Sequence, residues 1–60
     1  MKNKTTKQMF NFIDENESVT FDQIKFKFYE KDSQWYLSLN DLLFSGKVRR
    51  IARDLYSLAN

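Results

Sequence analysis

Hydrophobic residues recur at helical spacing in three stretches of this chain, and the first stretch lies near the N-terminus. From about Thr5 to Glu15 one side of the segment is apolar; the residues on that side are Met9, Phe10, Phe12 and Ile13. This spacing predicts an amphipathic helix. Thr5 or Thr6 is a suitable N-terminal cap. Asn16 is expected to end the helix, because asparagine tolerates the left-handed backbone conformation.

A short extended stretch and a second helix follow. Ser18-Val19-Thr20 contains β-branched residues and predicts a strand that pairs with a later one. Thr20 and Gln23 have the spacing of a capping box and predict a helix that begins after Thr20. The apolar positions of this helix are Phe21, Ile24 and Phe28. The alternation over residues 25–28 is also compatible with a strand, but the explicit cap favours the helix.

The third helix is predicted after a turn at Tyr29-Glu30-Lys31. Asp32 or Ser33 is expected to cap it, and it extends to about Ser45. Its inward stripe consists of Trp35, Leu39, Leu42 and Leu43. Gly46, the only glycine of the chain, is expected to end it as a C-terminal cap.

Beyond Gly46 the hydrophobic period shortens to about two, which predicts a β-hairpin. A three-residue tip at Ala52-Arg53-Asp54 would pair Ile51 with Leu55 and Val48 with Leu58. In that register the inner face comprises Val48, Tyr56, Leu58 and the stem of Arg50, and the outer face comprises Arg49, Ile51, Leu55 and Ser57. A two-residue tip would exchange the two faces, and no Asn-Gly signal fixes the register.

Length and composition limit the kind of protein this is. Sixty residues are enough for one domain, spanning 1–60, and the chain has neither cysteine nor histidine. Disulfides and His/Cys zinc sites are therefore excluded, and no metal or cofactor is predicted. No apolar stretch approaches the ~20 residues of a membrane span. The N-terminus lacks the apolar region of a signal peptide, so a cytoplasmic location and no membrane contact are expected.

Catalysis has little support in the sequence. The commonest general base and the thiol nucleophile are missing, because there is no histidine or cysteine. One glycine cannot build a glycine-rich phosphate loop. The acidic residues Asp14, Glu15 and Glu17 are typical of a solvated helix end. The chain is not expected to be an enzyme.

Charge is distributed unevenly along the chain. Residues 1–13 have a net charge of +3, residues 14–46 of −4 and residues 47–60 of +3. Four cations fall between positions 47 and 53, namely Lys47, Arg49, Arg50 and Arg53. If the two basic ends meet in space they form one positive surface, which favours an anionic partner.

The order helix, short strand, helix, turn, helix, hairpin resembles the winged helix-turn-helix domain. The likeness covers nearly the whole chain and rests on the helix start Thr20-Phe21-Asp22-Gln23-Ile24, the stripe from Trp35 to Leu43, the Gly46-Lys47-Val48 junction and the final Leu55-Tyr56-Ser57-Leu58. It implies an α+β fold with three helices, a C-terminal two-stranded wing and a short third strand at Ser18–Thr20. Small bacterial and phage regulators with this fold are the nearest type.

The resemblance also implies duplex DNA as the partner, with the third helix in the major groove and the wing on the backbone or minor groove. On this sequence the helix would present Ser33, Gln34, Tyr36 and Asn40. The wing would present Lys47, Arg49, Arg50 and Arg53, and further backbone contacts would come from Lys4, Lys7, Lys25 and Lys27. These assignments predict a small transcriptional regulator.

A second hypothesis is an interaction module that does not bind DNA directly. The predicted third helix contains no lysine or arginine, although arginine is the usual reader of guanine. An adaptor, an inhibitor or a homodimer would instead use an apolar contact formed by Tyr36, Leu37, Ile51 and Leu55.

Overall fold

The computed structural model describes residues 4–59, which form three helices and a three-stranded antiparallel sheet. The predicted α+β class is confirmed. The elements in chain order are α1 (Lys4–Asn16), β1 (Ser18–Thr20), α2 (Phe21–Phe28), α3 (Trp35–Phe44), β2 (Val48–Ala52) and β3 (Leu55–Leu58).

The sheet has the order β1-β3-β2, so β3 is its central strand. Strand β1 pairs with β3 from Ser18 opposite Ser57 to Thr20 opposite Leu55. The predicted strand at Ser18–Thr20 and its pairing with the hairpin are thus confirmed. Strands β1 and β2 form the two edges, and β2 belongs to the hairpin with β3.

One hydrophobic cluster joins all six elements. It consists of Met9, Ile13, Val19, Ile24, Phe28, Trp35, Leu39, Leu42, Val48 and Tyr56. Phe28 is fully buried and meets the edge of the half-buried Phe12 ring, with 6.1 Å between ring centroids. Each large aliphatic or aromatic side chain buried in this way contributes roughly 1.5–3 kcal/mol. In a chain without disulfides, this cluster is the main source of stability.

The ends of α1 differ from the prediction. The helix already includes Lys4, so neither Thr5 nor Thr6 is its N-terminal cap. Asn16 is the last helical residue, and its Nδ2 donates a hydrogen bond to the Phe12 carbonyl at 2.8 Å. The left-handed conformation expected at Asn16 occurs one residue later, at Glu17, which has φ 66°.

The capping box at the start of α2 is confirmed. The Gln23 amide donates to Thr20 Oγ1 at 3.1 Å, and the Thr20 amide donates to Gln23 Oε1 at 2.8 Å. Residues 25–28 are helical, so the strand alternative for them was wrong. Phe21, expected to be inward, is 37% exposed, whereas Ile24 and Phe28 are buried.

Helix α3 begins later than predicted but ends as expected. Its N-cap is Gln34, which makes no side-chain capping bond, so the caps at Asp32 and Ser33 were wrong. Asp32 instead accepts a hydrogen bond from the Gln34 amide at 2.9 Å and shapes the turn before the helix. At the other end Gly46 has φ 81°, and the amides of Gly46 and Lys47 donate to the Leu43 and Leu42 carbonyls. This pattern is the Schellman motif that a C-terminal glycine favours.

The hairpin register is correct at its base and wrong at its tip. Val48 lies opposite Leu58, as predicted, but Ala52 rather than Ile51 lies opposite Leu55. A bulge between Arg50 and Ala52 absorbs the extra residue, and the loop shrinks to two residues, 53 and 54. Because the bulge lies beyond the Arg50–Tyr56 pair, Val48 and Tyr56 remain buried as predicted. Arg50, whose stem was expected on the inner face, is exposed, and Leu55, expected on the outer face, is half-buried.

Candidate nucleic-acid interface

The cations of the hairpin lie along an edge strand and point to solvent. In β2 only Val48 is buried, and the four residues after it are exposed. Lys47, immediately before the strand, and Arg53, in the loop after it, are exposed as well. Buried and exposed side chains usually alternate along a strand, but they do not alternate in β2, because the strand extends past the core after its first residue. We call these four exposed residues at the edge of the sheet, Lys47, Arg49, Arg50 and Arg53, the line of cations.

The N-terminal lysines meet one end of this line. Lys7 of α1 and Lys47 line one cleft of about 310 Å³, together with Thr6, Phe10 and Leu42. The two basic ends of the sequence therefore come together, as the charge pattern suggested. Lys4 is also exposed on α1, one turn before Lys7. Positive charge thus extends from the start of α1, past the base of the hairpin, to its tip.

The other end of the line is attached to the start of α2 and α3. The Phe21 amide donates a hydrogen bond to the Asp54 carbonyl at 2.9 Å, and the Phe21 ring lies 5.4 Å from the Trp35 ring, centroid to centroid. First-turn amides of a helix have no partner within the helix, which leaves the Phe21 amide available for the hairpin loop. Phe21 is therefore a common neighbour of the loop that carries Arg53 and of the first residue of α3.

This bridge through Phe21 was missed by the sequence analysis, which treated Phe21 only as an inward residue of α2. The single available signal was its position directly after a capping threonine, where an amide needs a partner outside the helix. Which carbonyl supplies that partner depends on the hairpin register, and the sequence left the register open.

The predicted helix residues are all exposed but do not all lie on the helix. Ser33 and Gln34 belong to the turn that precedes α3, whereas Tyr36 and Asn40 lie on α3 one turn apart. The Tyr36 ring stands perpendicular to the Trp35 ring, with 6.2 Å between centroids, and this contact fixes its direction. Hydrogen-bonding side chains of the type that read base edges therefore lie at the N-terminal part of α3 and on its outer surface.

The outer surface of α3 is more apolar than expected. Leu37 is 50% exposed and Phe44, two turns later on the same side, is 93% exposed. Phe44 was missed in the sequence because it directly follows the buried Leu42 and half-buried Leu43. The available signal was its spacing from Trp35, because on a helix Phe44 falls opposite the stripe that begins at Trp35. We call Leu37 and Phe44 the outer apolar stripe.

The two lysines of α2 occupy different surroundings. Lys27 Nζ lies over the Phe12 ring, 5.3 Å from its centroid, which directs it towards α1. Lys25 lines a surface cleft with Asp22, Phe26 and Tyr29. The contact of Lys27 with Phe12 places it on the α1 side of α2, whereas Phe21 contacts Trp35 and the hairpin loop.

The apolar contact predicted for a protein partner also included Ile51 and Leu55 on the hairpin. Ile51 is 45% exposed at the bulge, whereas Leu55 is half-buried opposite Thr20 and Ala52. Leu55 is less available for an apolar contact because it lies in the central strand. The exposed apolar set on α3 and the hairpin is accordingly Tyr36, Leu37, Phe44 and Ile51.

Metal-ligating clusters and membrane-spanning helices are both absent from residues 4–59. Within that range, no group of three or more His, Cys, Asp or Glu side chains is arranged to hold a metal ion. No helix in the same range is both long and apolar enough to cross a membrane.

Comparison with known proteins identifies no relative: no protein-family model, no curated protein and no solved structure matches this chain. Function must be argued from the surface itself.

Proposed function

We propose that this protein is a winged helix-turn-helix protein that binds duplex DNA and acts in the cytoplasm as a small transcriptional regulator. The contact of Phe21 with both the hairpin loop and Trp35 carries the proposal, because it makes the basic tip and the start of α3 neighbours. A protein that inserts a helix into the major groove and rests a wing on the adjacent backbone needs these two elements side by side.

The order and pairing of the elements support the fold part of this proposal. Three helices are followed by a hairpin, and the short strand between α1 and α2 joins the hairpin's second strand. This is the arrangement expected of a winged helix. A two-residue loop makes the wing short, and the hydrogen bond from Phe21 holds its end against the body of the domain.

Affinity in this mechanism comes from the line of cations. Each phosphate that a lysine or arginine neutralises releases a bound counterion, and log K falls with log salt concentration by about 0.9 per phosphate. Arg49 and Arg53 are exposed, and Arg50 uses only its Nε, which donates to the Ala52 carbonyl at 3.3 Å. Selectivity would come from Gln34 and Asn40, whose amides can bond adenine bidentately, with Ser33 and Tyr36 adding polar contacts.

A duplex-DNA titration at two salt concentrations tests this proposal. Replacing Arg49, Arg50 and Arg53 together by alanine should abolish most binding and reduce the salt slope by up to about 2.7, which is three phosphates at 0.9 each. Equal affinity of the wild type and this triple variant would contradict the proposal. Gln34→Ala should change which sequences bind, whereas Arg53→Ala should weaken binding to all sequences alike.

Lys31→Ala is the matched control for Arg53→Ala. Both remove one positive charge from an exposed position, but Lys31 lines a cleft with Phe12 and Lys27 on the α1 side of α2. If net charge alone governs binding, the two variants lose the same affinity. If the line of cations is the contact surface, only Arg53→Ala lowers the salt slope.

A second candidate function is a protein-interaction module, and the outer apolar stripe favours it. A phenylalanine that is 93% exposed two turns from a half-exposed leucine is unusual on a domain that has no partner there. Phe26, which is 80% exposed and lies 6.4 Å from the Tyr29 ring, adds a second apolar surface on α2.

Sizing of the protein beside the DNA titration separates the two functions. A stable dimer that ignores DNA and dissociates in the Leu37→Ser/Phe44→Ser variant would select the interaction module. A monomer with steep, salt-dependent DNA binding selects the first function. The double serine substitution should leave folding intact, because both side chains are largely solvent-exposed.

A further inference from the structure

The hairpin tip combines one exposed apolar side chain with arginines on both sides. Ile51 is 45% exposed and does not belong to the hydrophobic cluster. Arg50 precedes it and Arg53 follows two residues later. We propose that Ile51 is a wedge that enters the minor groove, separates two stacked base pairs and kinks the duplex. This inference rests on the proposed DNA binding.

The β-bulge is the first observation that supports this role. Arg50 lies opposite Tyr56 and Ala52 opposite Leu55, which leaves Ile51 without a partner residue on β3. A bulge redirects the side chain of the extra residue and increases the local twist of the strand. Ile51 is the extra residue here, and it is a large aliphatic side chain at an exposed position of an edge strand, where a polar side chain is more usual.

Two hydrogen bonds hold the tip in place. Arg50 Nε donates to the Ala52 carbonyl at 3.3 Å and so spans the bulge around Ile51. The Phe21 amide donates to the Asp54 carbonyl at 2.9 Å and ties the loop to the start of α2. A wedge must resist being pushed aside while it separates stacked bases, and a tip braced on both sides of Ile51 meets that requirement.

The neighbouring arginines suit the groove that the wedge would enter. Arginine is attracted to a narrow minor groove, where the negative potential is enhanced. Apolar side chains inserted between base steps unstack them and bend the duplex by ~20–90° towards the major groove. A bent duplex contacts more protein surface. Lys4, Lys7 and Lys47 are exposed cations outside the tip that would neutralise the added phosphates.

Energy transfer between dyes at the two ends of a duplex with a central TA step tests the wedge, since such steps kink easily. Wild-type protein should bring the ends closer together. Ile51→Ala should bind with the wild-type salt slope but leave the duplex straight, because it keeps every charge. Ile51→Leu should restore bending.

A second duplex with a central mismatch provides an independent readout. A mismatched step costs less energy to unstack than a paired one, so the wild type should bind this duplex at least about tenfold tighter than the intact duplex. Ile51→Ala should bind both duplexes equally. Phe44→Ala is the control, since it removes a more exposed apolar side chain at the far end of α3 and should retain bending.

The outcomes distinguish this inference from the function on which it rests. Wild-type binding without bending, or equal bending by Ile51→Ala, overturns the wedge and leaves DNA binding intact. Failure of the wild type to bind any duplex at low salt overturns both.

Discussion

Strand β2 and helix α3 are separated by only three residues, 45–47, yet they present opposite chemistry to solvent. The strand and its loop expose cations, whereas the exposed side of α3 has Leu37, Asn40 and Phe44 and no cation. Under the proposed function, attraction to DNA and recognition of its sequence would be divided between these two elements. A substitution on the surface of β2 should leave α3 unchanged, and the reverse, unless the substituted residue holds both elements in place.

The largest effect is expected from a substitution in the core that supports both α3 and the hairpin. Leu42 is 2% exposed on the inner face of α3, and its carbonyl accepts a hydrogen bond from the Lys47 amide at the start of the hairpin. Leu42→Ala should lower the free energy of unfolding by ~2–5 kcal/mol, because it leaves a cavity in the core. In denaturant titrations followed by circular dichroism, the unfolding midpoint should fall, and the helix and the hairpin should unfold together.

Leu37→Ala is the control for that experiment. It removes the same atoms from the same helix, but the side chain is half exposed, so the stability should change by no more than about 0.5 kcal/mol. A large loss at Leu37 would mean that the outer apolar stripe is part of the core.

A smaller effect is expected at the junction between the two elements. Gly46 has φ 81°, and a Cβ built there meets nothing within 4 Å. Gly46→Ala should therefore cost about 1–2 kcal/mol through backbone strain alone. Gly46→Asn should lose less, because asparagine tolerates this conformation. Equal unfolding midpoints for glycine and alanine would show that the junction can adopt another conformation.

The smallest effect is expected at Thr20, next to Phe21, which contacts both the hairpin loop and α3. Thr20→Ala removes the side-chain cap of α2 and should cost about 1 kcal/mol, whereas Thr20→Ser should keep it. Amide hydrogen exchange at Phe21 should rise in the alanine variant as the helix start loosens. Unchanged protection of the Phe21 amide would indicate that the Asp54 carbonyl alone holds this end.

Local sequence signals predicted the features that depend on few residues. The capping box of Thr20 and Gln23 and the left-handed Gly46 each need only a short stretch of chain, and both were predicted correctly. The short strand at Ser18–Thr20 was predicted as well. Its β-branched residues were enough to expect pairing with the hairpin.

Features that depend on a balance between alternatives were missed. The hairpin loop lacks a strong turn signal, so the sequence did not predict the bulge between Arg50 and Ala52 or the two-residue loop that goes with it. Asp32 is a good capping residue, yet its carboxylate shapes the preceding turn instead. The exposure of Phe44 could be predicted only from the rotational position of each residue around α3. The functional-site residues themselves remain predictions.

The position of β2 at the edge of the sheet has a consequence for the behaviour of the protein in solution. An edge strand presents unpaired backbone groups on which another chain can add a strand, and charged side chains are a common protection against such aggregation. Lys47, Arg49, Arg50 and Arg53 surround this edge and repel a second copy that approaches with the same strand. The charges that would attract a polyanion thus also keep concentrated copies of the protein apart.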